Sequence, residues 1–71
     1  MSLMSEEWTT VGVDQITARD TIRLQSGMIL EVTTIEEAFM GRPEMRAFIE
    51  DTPQRWYKQP MPTSATVDVK R

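Results

Sequence analysis

Cysteine and histidine are both absent from this chain, and each absence removes a class of chemistry. Without cysteine there is no disulfide framework and no thiolate metal site. Without histidine the commonest general base and the commonest transition-metal ligand are missing. Glycine is scarce: Gly12, Gly27 and Gly41 stand alone, so no glycine-rich loop can cradle a phosphate, and each reads as a bulge or turn residue. No apolar run approaches the ~20 residues that would span a bilayer as a helix. The opening Met1-Ser2-Leu3-Met4 lacks the basic region and following apolar stretch of a signal peptide. It reads as an expression leader ahead of a native start at Met4. A secreted domain this small would lean on disulfides, so a cysteine-free chain points to a cytoplasmic setting.

Positive charge is also in short supply. Eight Lys and Arg face eleven Asp and Glu, a net charge of −3, whereas phosphate-backbone binding needs a basic surplus gathered on one face. Nucleic acid is therefore not the default partner. What the chain does have is 39% apolar residues, enough for one small core and too many for a disordered tail. With 71 residues the expectation is a polar lead-in over residues 1–7 and a single domain over 8–71. That domain lies near the lower size limit for a fold without covalent staples.

The densest apolar stretch, Asp20 to Ile35, reads as two strands joined by a Gln25-Ser26-Gly27 turn. Ile22 and Leu24 share one face by period-two alternation, and Gly27 can supply the positive φ of a tight turn. After the turn, Met28, Leu30, Val32 and Thr34 share a face. Ile29 and Ile35 mark both ends of the other face, as expected of a curved strand that changes partners along its length. Upstream, Trp8 to Val13 suits a first strand, with Gly12 marking a bulge or a close backbone approach. Ile16 is the inward residue of the turn that follows.

Residues 36–51 admit two readings. As strand, Glu36–Met40 and Glu44–Glu50 flank a Gly41-Arg42-Pro43 turn, with Met45, Ala47 and Ile49 facing in. As helix, Pro43 opens a short segment near residues 43–51 with Met45, Phe48 and Ile49 on one stripe. Strand is favoured, because so short a helix depends wholly on tertiary packing. Asp51-Thr52-Pro53-Gln54 has turn chemistry, and Arg55 to Lys58 reads as a short strand. Pro60 and Pro62 then interrupt the ladder, and Ala65 to Val69 alternates as a last strand. The fold expected is all-β, a mostly antiparallel five-stranded barrel, with an α+β arrangement as the alternative should residues 43–51 be helical.

Catalytic constellations are poorly supported. Ser26 and Ser64 have no histidine to activate them. The carboxylate pairs Glu6-Glu7, Glu36-Glu37 and Glu50-Asp51 would point to opposite faces of a strand and read as solvated loop ends. No metal-binding loop occurs, and no cofactor, enzyme activity or small-molecule substrate is expected. Better supported is a contact surface. Arg55-Trp56-Tyr57-Lys58 places Arg55 and Tyr57 on one face and Trp56 and Lys58 on the other, so at least one aromatic belongs to the core. A barrel this small must also leave some of Phe39, Met40, Phe48, Trp56 and Met61 partly exposed. Met40, Met45 and Met61 fall in or beside the turns around residues 36–51, and methionine is adaptable at binding surfaces. The candidate surface is Phe39, Met40, Met45, Arg55, Trp56 and Tyr57.

The pattern Val13-x-x-Ile16-x-Ala18-Arg19-Asp20-x-Ile22-x-Leu24-x-x-Gly27, continued by Val32-x-x-Ile35 and closed by Thr66-Val67-Asp68-Val69, resembles small SH3-like β-barrel proteins of unassigned function from actinobacteria and their phages. The resemblance covers most of residues 8–70 and implies a fold, with no activity attached. Those proteins often carry Gly-Asp just before the second strand. Arg19-Asp20 stands there in this chain, so a different turn is expected. The Asp-x-Ile…Gly…Val arrangement also occurs in self-splicing Hint-type domains, which rely on cysteine and histidine that this chain lacks. The aromatic signature of proline-binding SH3 domains is not seen.

The function expected is therefore a non-catalytic protein–protein interaction or assembly module of phage or prophage origin. Its partner is another protein or a second copy of the chain. The alternative is a nucleic-acid-binding barrel using Arg19, Arg23, Arg42, Arg46 and Arg55 with Trp56, Tyr57 and Lys58.

Overall fold

The computed structural model describes residues 7–70. Residues 1–6 of the expected 1–7 lead-in and the terminal Arg71 lie outside them, and Glu7 is exposed and precedes the first strand. Seven strands run through the described residues, where five were expected: β1 (Trp8–Gly12), β2 (Thr21–Arg23), β3 (Ile29–Glu31), β4 (Thr34–Glu36), β5 (Met45–Thr52), β6 (Arg55–Pro62) and β7 (Thr66–Lys70). Short 3-10 turns at Val13–Gln15 and Phe39–Gly41 are the only helical segments among them. The strands form two antiparallel sheets in the orders β1-β7-β2-β3 and β4-β5-β6. The protein is all-β.

The two-faced segment after Gly27 becomes the link between the sheets. Ile29–Glu31 pairs with β2, and Thr34–Glu36 pairs with β5, so one curved run of chain does change partners, splitting into β3 and β4. Leu30 and Val32 are fully buried while Ile29 is 45% exposed. Val13, Ile16, Ile22, Val67, Val69 and Phe48 complete one core cluster shared by both sheets. Ile16 points inward as expected.

The turns follow from local backbone chemistry. Gly27 sits at φ +93°, a conformation that costs an L-residue about 1–2 kcal/mol, so Gly27→Ala is expected to lower unfolding free energy by roughly 1 kcal/mol in urea titration. Arg19 also has positive φ, 80°. The turn before β2 thus takes a glycine-like backbone with an arginine in place. Asp20 holds it, its Oδ2 accepting from Thr17 N at 2.9 Å. Gly12 is extended and pairs one-to-one with Thr66, so no bulge forms. Its close approach is to Asp14, whose Oδ1 would lie 2.6 Å from an added Cβ.

Residues 43–51 are not helical. Met45–Thr52 is the central strand of the second sheet, because β4 and β6 offer ladder partners on both sides. The inward face is the opposite of the one expected. Phe48 is fully buried in the core cluster, between Arg46 and Glu50, themselves only 8% and 6% exposed. Met45 and Ile49 are half-buried on the outer face, and Ala47 on that same face is fully buried, as expected of it, though outside the central cluster. Phe48 is the largest side chain of this stretch, and placing it in the core sets the register for its neighbours. The expected Glu36–Met40 strand also stops at Glu36, since Ala38, Met40 and Gly41 take positive φ.

Pro60 and Pro62 do not end β6. Thr63 N donates to Glu44 O, so alternation puts the Ala47–Pro60 and Met45–Pro62 pairs in non-bonded positions whose nitrogens point away from β5. Proline loses nothing there, because β6 is an edge strand.

Candidate functional site

β5 and β6 sort the expected surface residues onto two faces. In the β5–β6 register, Asp51 lies opposite Trp56, Ile49 opposite Lys58, Ala47 opposite Pro60 and Met45 opposite Pro62. All of these belong to the outer face of the three-stranded sheet. Thr52–Arg55, Glu50–Tyr57, Phe48–Gln59 and Arg46–Met61 belong to the inner face. Trp56 is therefore the exposed aromatic, at 61%, while Tyr57 packs against the core cluster. Trp56 and Met45 stay on one face, while Arg55 and Tyr57, both half-buried, lie on the other.

The loop between β4 and β5 brings in the rest. Lys58 Nζ lies 4.8 Å from the centroid of the Phe39 ring and 2.6 Å from Glu36 Oε1, so the loop folds back over the outer face. Met40 next to it is 78% exposed. Ala38 at φ 48° and Met40 at φ 56° are non-glycine residues held in left-handed backbone, a strain that clusters at functional loops. Trp56, Met45, Ile49 and Pro60 thus share the outer side of the sheet with the Phe39–Met40 loop. Trp56 and Met40 are exposed there, the other four are half-buried, and Lys58 is the outer-face residue that follows Trp56 on β6. Ile49 and Pro60 are members that sequence reasoning left out. Their signal was the outer-face parity of Trp56, obscured by the assignment of Met45, Ala47 and Ile49 to the core.

Arg55 has a structural task. Its Nε and Nη2 fork onto Glu50 Oε2 and Oε1 at 3.0 and 2.7 Å, and Nη2 also donates to Ile29 O at 2.8 Å. Glu50 Oε1 accepts from Glu31 N at 2.9 Å. Leu24 N donates to Met28 O, so by alternation Ile29 and Glu31 direct their N–H and C=O groups away from β2. The ion pair therefore replaces a neighbouring strand along the free edge of β3. The Arg55 guanidinium, then the Glu31 N–H, hold the Glu50 carboxyl down at about 2. Glu50 is not the solvated loop end that its pairing with Asp51 implied.

A second fork lies at the other end of β5. Arg46 Nε and Nη2 donate to Glu37 at 3.0 and 2.7 Å, and Nη1 donates to Val13 O at 2.7 Å and Ile16 O at 3.3 Å. The adjacent Glu36 and Glu37 thus serve different cations, Lys58 outside and Arg46 inside.

A cleft of about 470 Å³ opens where β2 and β7 part beyond Arg23 and Asp68. Its apolar members are Leu24, Tyr57, Met61 and Ala65, packed on the core, and the core residue Val67. Arg23 and Asp68 close part of its rim through a 2.9 Å ion pair. Thr10 Oγ1 and the Arg23 guanidinium hold the Asp68 carboxyl below the usual carboxylate range, which keeps it an ion-pair partner and makes it a poor proton donor. Among the described residues no three Asp or Glu come together as metal ligands, and no helix is long and apolar enough to cross a membrane. Set against protein-family models, curated proteins and solved structures, the chain matches none.

Proposed function

We propose that this chain is a non-catalytic protein–protein interaction or assembly module that contacts its partner through the outer face of β4, β5 and β6. One observation carries the reading: Trp56 stands 61% exposed on the same sheet face as Met45 and Ile49, and the strained loop that folds over that face exposes Met40 and leaves Phe39 half-buried under Lys58. An exposed tryptophan among adaptable apolar side chains is the composition of a binding hot spot. In the same reading the fold is an SH3-like barrel, supported by the β3–β4 run that passes from one sheet to the other. A cytoplasmic setting rests on the lack of cysteine. Phage or prophage origin rests on the sequence pattern around the β2–β3 turn.

The nucleic-acid alternative finds little support. Arg23, Arg42, Arg46, Arg55 and Lys58 each sit on a carboxylate, and Arg46 and Arg55 belong to the inner face. Such cations have few counterions to release on a phosphate backbone.

Trp56→Glu tests the reading. Because the side chain is exposed, the variant is expected to stay within about 0.5 kcal/mol of wild-type stability. It is expected to lose any partner that the unaltered chain retains in affinity capture from its host. Equal recovery by both baits would remove this face from the interaction, and no recovery by either, with a strictly monomeric chain in sedimentation, would end the reading.

A further inference from the structure

Two sheets that do not close on each other by hydrogen bonds leave four edges, and unpaired edges are managed by recognisable devices. The β3 edge is covered by the Glu50–Arg55 pair, which bonds Glu31 N and Ile29 O. The β6 edge lacks donors at Pro60 and Pro62, where the outward N–H groups would stand. The β4 edge is three residues long, ending at Glu36, and Ala38 two residues on turns the chain away in left-handed backbone. The β1 edge has none of these protections. Val13 N donates to Ala65 O, so along the β1–β7 ladder the odd residues bond β7. Trp8, Thr10 and Gly12 turn their N–H and C=O groups outward. Among the described residues no hydrogen bond reaches those outward groups, and β1 holds no proline and no charged side chain.

We infer that β1 pairs with β1 of a second copy of this chain, antiparallel about Thr10, joining the two four-stranded sheets into one of eight strands. The occupant follows from self-complementarity. A two-fold axis at Thr10 places all the outward groups of one β1 opposite those of the other: Thr10 meets Thr10, and Trp8 meets Gly12. Gly12 has no Cβ to obstruct the approach, and the Trp8 ring stays over its own sheet, 4.6 Å from the Arg23 guanidinium, clear of the free edge. On the alternate positions Thr9 meets Val11, a β-branched pair. No like charges face each other along β1. The inference deepens the assembly reading and rests on it for the class of partner. The contact itself uses a different surface, on the other sheet from Trp56.

Sedimentation of the full chain up to about 1 mM, a range that captures weak edge contacts, is expected to show a reversible dimer. Thr10→Pro removes an N–H that β7 does not use, and both bonds at the two-fold axis are lost. Dimerisation is expected to weaken by about 30-fold, with Thr10→Val remaining dimeric. Thr10→Cys supplies the chain's only thiol. The Cα atoms of a hydrogen-bonded antiparallel pair lie about 5.5 Å apart, within the disulfide span of about 4.4–6.8 Å. Mild oxidation is therefore expected to give a covalent dimer faster than it does for Ser26→Cys, in the exposed β2–β3 turn. If Thr10→Pro fails to fold, the crosslinking rates decide. A wild-type chain that stays monomeric, or a Thr10→Cys rate no greater than that of Ser26→Cys, would overturn the inference. So would a dimer that survives Thr10→Pro and is lost in Trp56→Glu, an outcome that would leave the outer-face reading standing. Loss of the dimer in Thr10→Pro, with partner capture retained, supports both surfaces separately.

Discussion

Glu50→Ala is expected to destabilise the fold by about 3 kcal/mol, measured by urea unfolding at neutral pH. The side chain of Glu50 is 8% exposed, and its carboxylate accepts from Arg55, Glu31 N and Thr52 Oγ1. Truncation leaves a guanidinium without its counter-charge and a backbone N–H at the β3 edge without an acceptor. Arg55 is 37% exposed, so water recovers part of its solvation, which places the cost toward the lower end for a broken buried pair. Against the roughly 3–5 kcal/mol that a core of this size supplies, the loss is most of the total. The corresponding fall in Tm is about 15 °C. A fall of only a few degrees would mean that β3 keeps its place without the pair.

Acid should reproduce that loss gradually. The folded-state pKa of Glu50 is about 2, down from the ordinary 4.5. Its contribution is therefore complete above pH 4.5, and it disappears as pH falls through about 2, where both states become protonated. Arg46 pulls Glu37 down, and Thr10 with Arg23 pulls Asp68 down, so both act in the same direction. Urea midpoints recorded between neutral pH and pH 2 should fall for wild type. In Glu50→Gln they should start lower and fall less, and the difference between the two curves is the contribution of Glu50. Parallel curves would show that its carboxylate is not held as the geometry requires.

Arg46→Ala is expected to cost about 3 kcal/mol in the same urea measurement. The Arg46 side chain is 10% exposed and ties the central strand β5 to the chain after β1 through Val13 O and Ile16 O. Val13 and Ile16 are themselves fully buried or nearly so, so their carbonyls have little access to replacement water. Arg46→Lys keeps the charge but cannot fork onto Glu37 while reaching Val13 O, and should recover only part of the loss. Recovery to wild-type stability by lysine would reduce the role of Arg46 to charge alone.

Both forks explain how a chain of 71 residues without cysteine holds two sheets together. Phe48 fills the centre of the shared core, and the residues two before and two after it on the same strand face are an arginine and a glutamate. Each is neutralised within a bidentate pair and spends its remaining hydrogen bond on backbone of another element. The polar ends of β5 thus supply directional ties where a larger domain would use more apolar area.

Much of the strand layout was legible in the sequence because it depends on local chemistry. Alternation in Thr21–Arg23 and Thr66–Lys70, Gly27 at a left-handed turn, and Pro53 with Gln54 between β5 and β6 all act over a few residues. The mixed faces of Met28–Ile35 announced a strand shared between two sheets, and Ile16 announced its own burial. Absent cysteine and histidine bounded the chemistry without any structure.

The face of β5 could be decided only by the tertiary structure. Read alone, Met45, Ala47 and Ile49 form a more apolar set than Arg46, Phe48 and Glu50, so alternation selects the former for the core. The burial of Arg46 and Glu50 depends on their ion pairs with Glu37 and Arg55, nine and five residues away, and on carbonyls and amides near Val13 and in β3. Once those ties exist, Phe48 goes inward, Met45 and Ile49 go outward, and Trp56 follows them by cross-strand register. The face of β5 is thus set by Phe48 in the shared core and by hydrogen bonds from Arg46 to Val13 O and Ile16 O, 33 and 30 residues away, and from Glu31 N to Glu50, 19 residues away. Contacts at that distance leave no periodicity in the sequence for local reasoning to find.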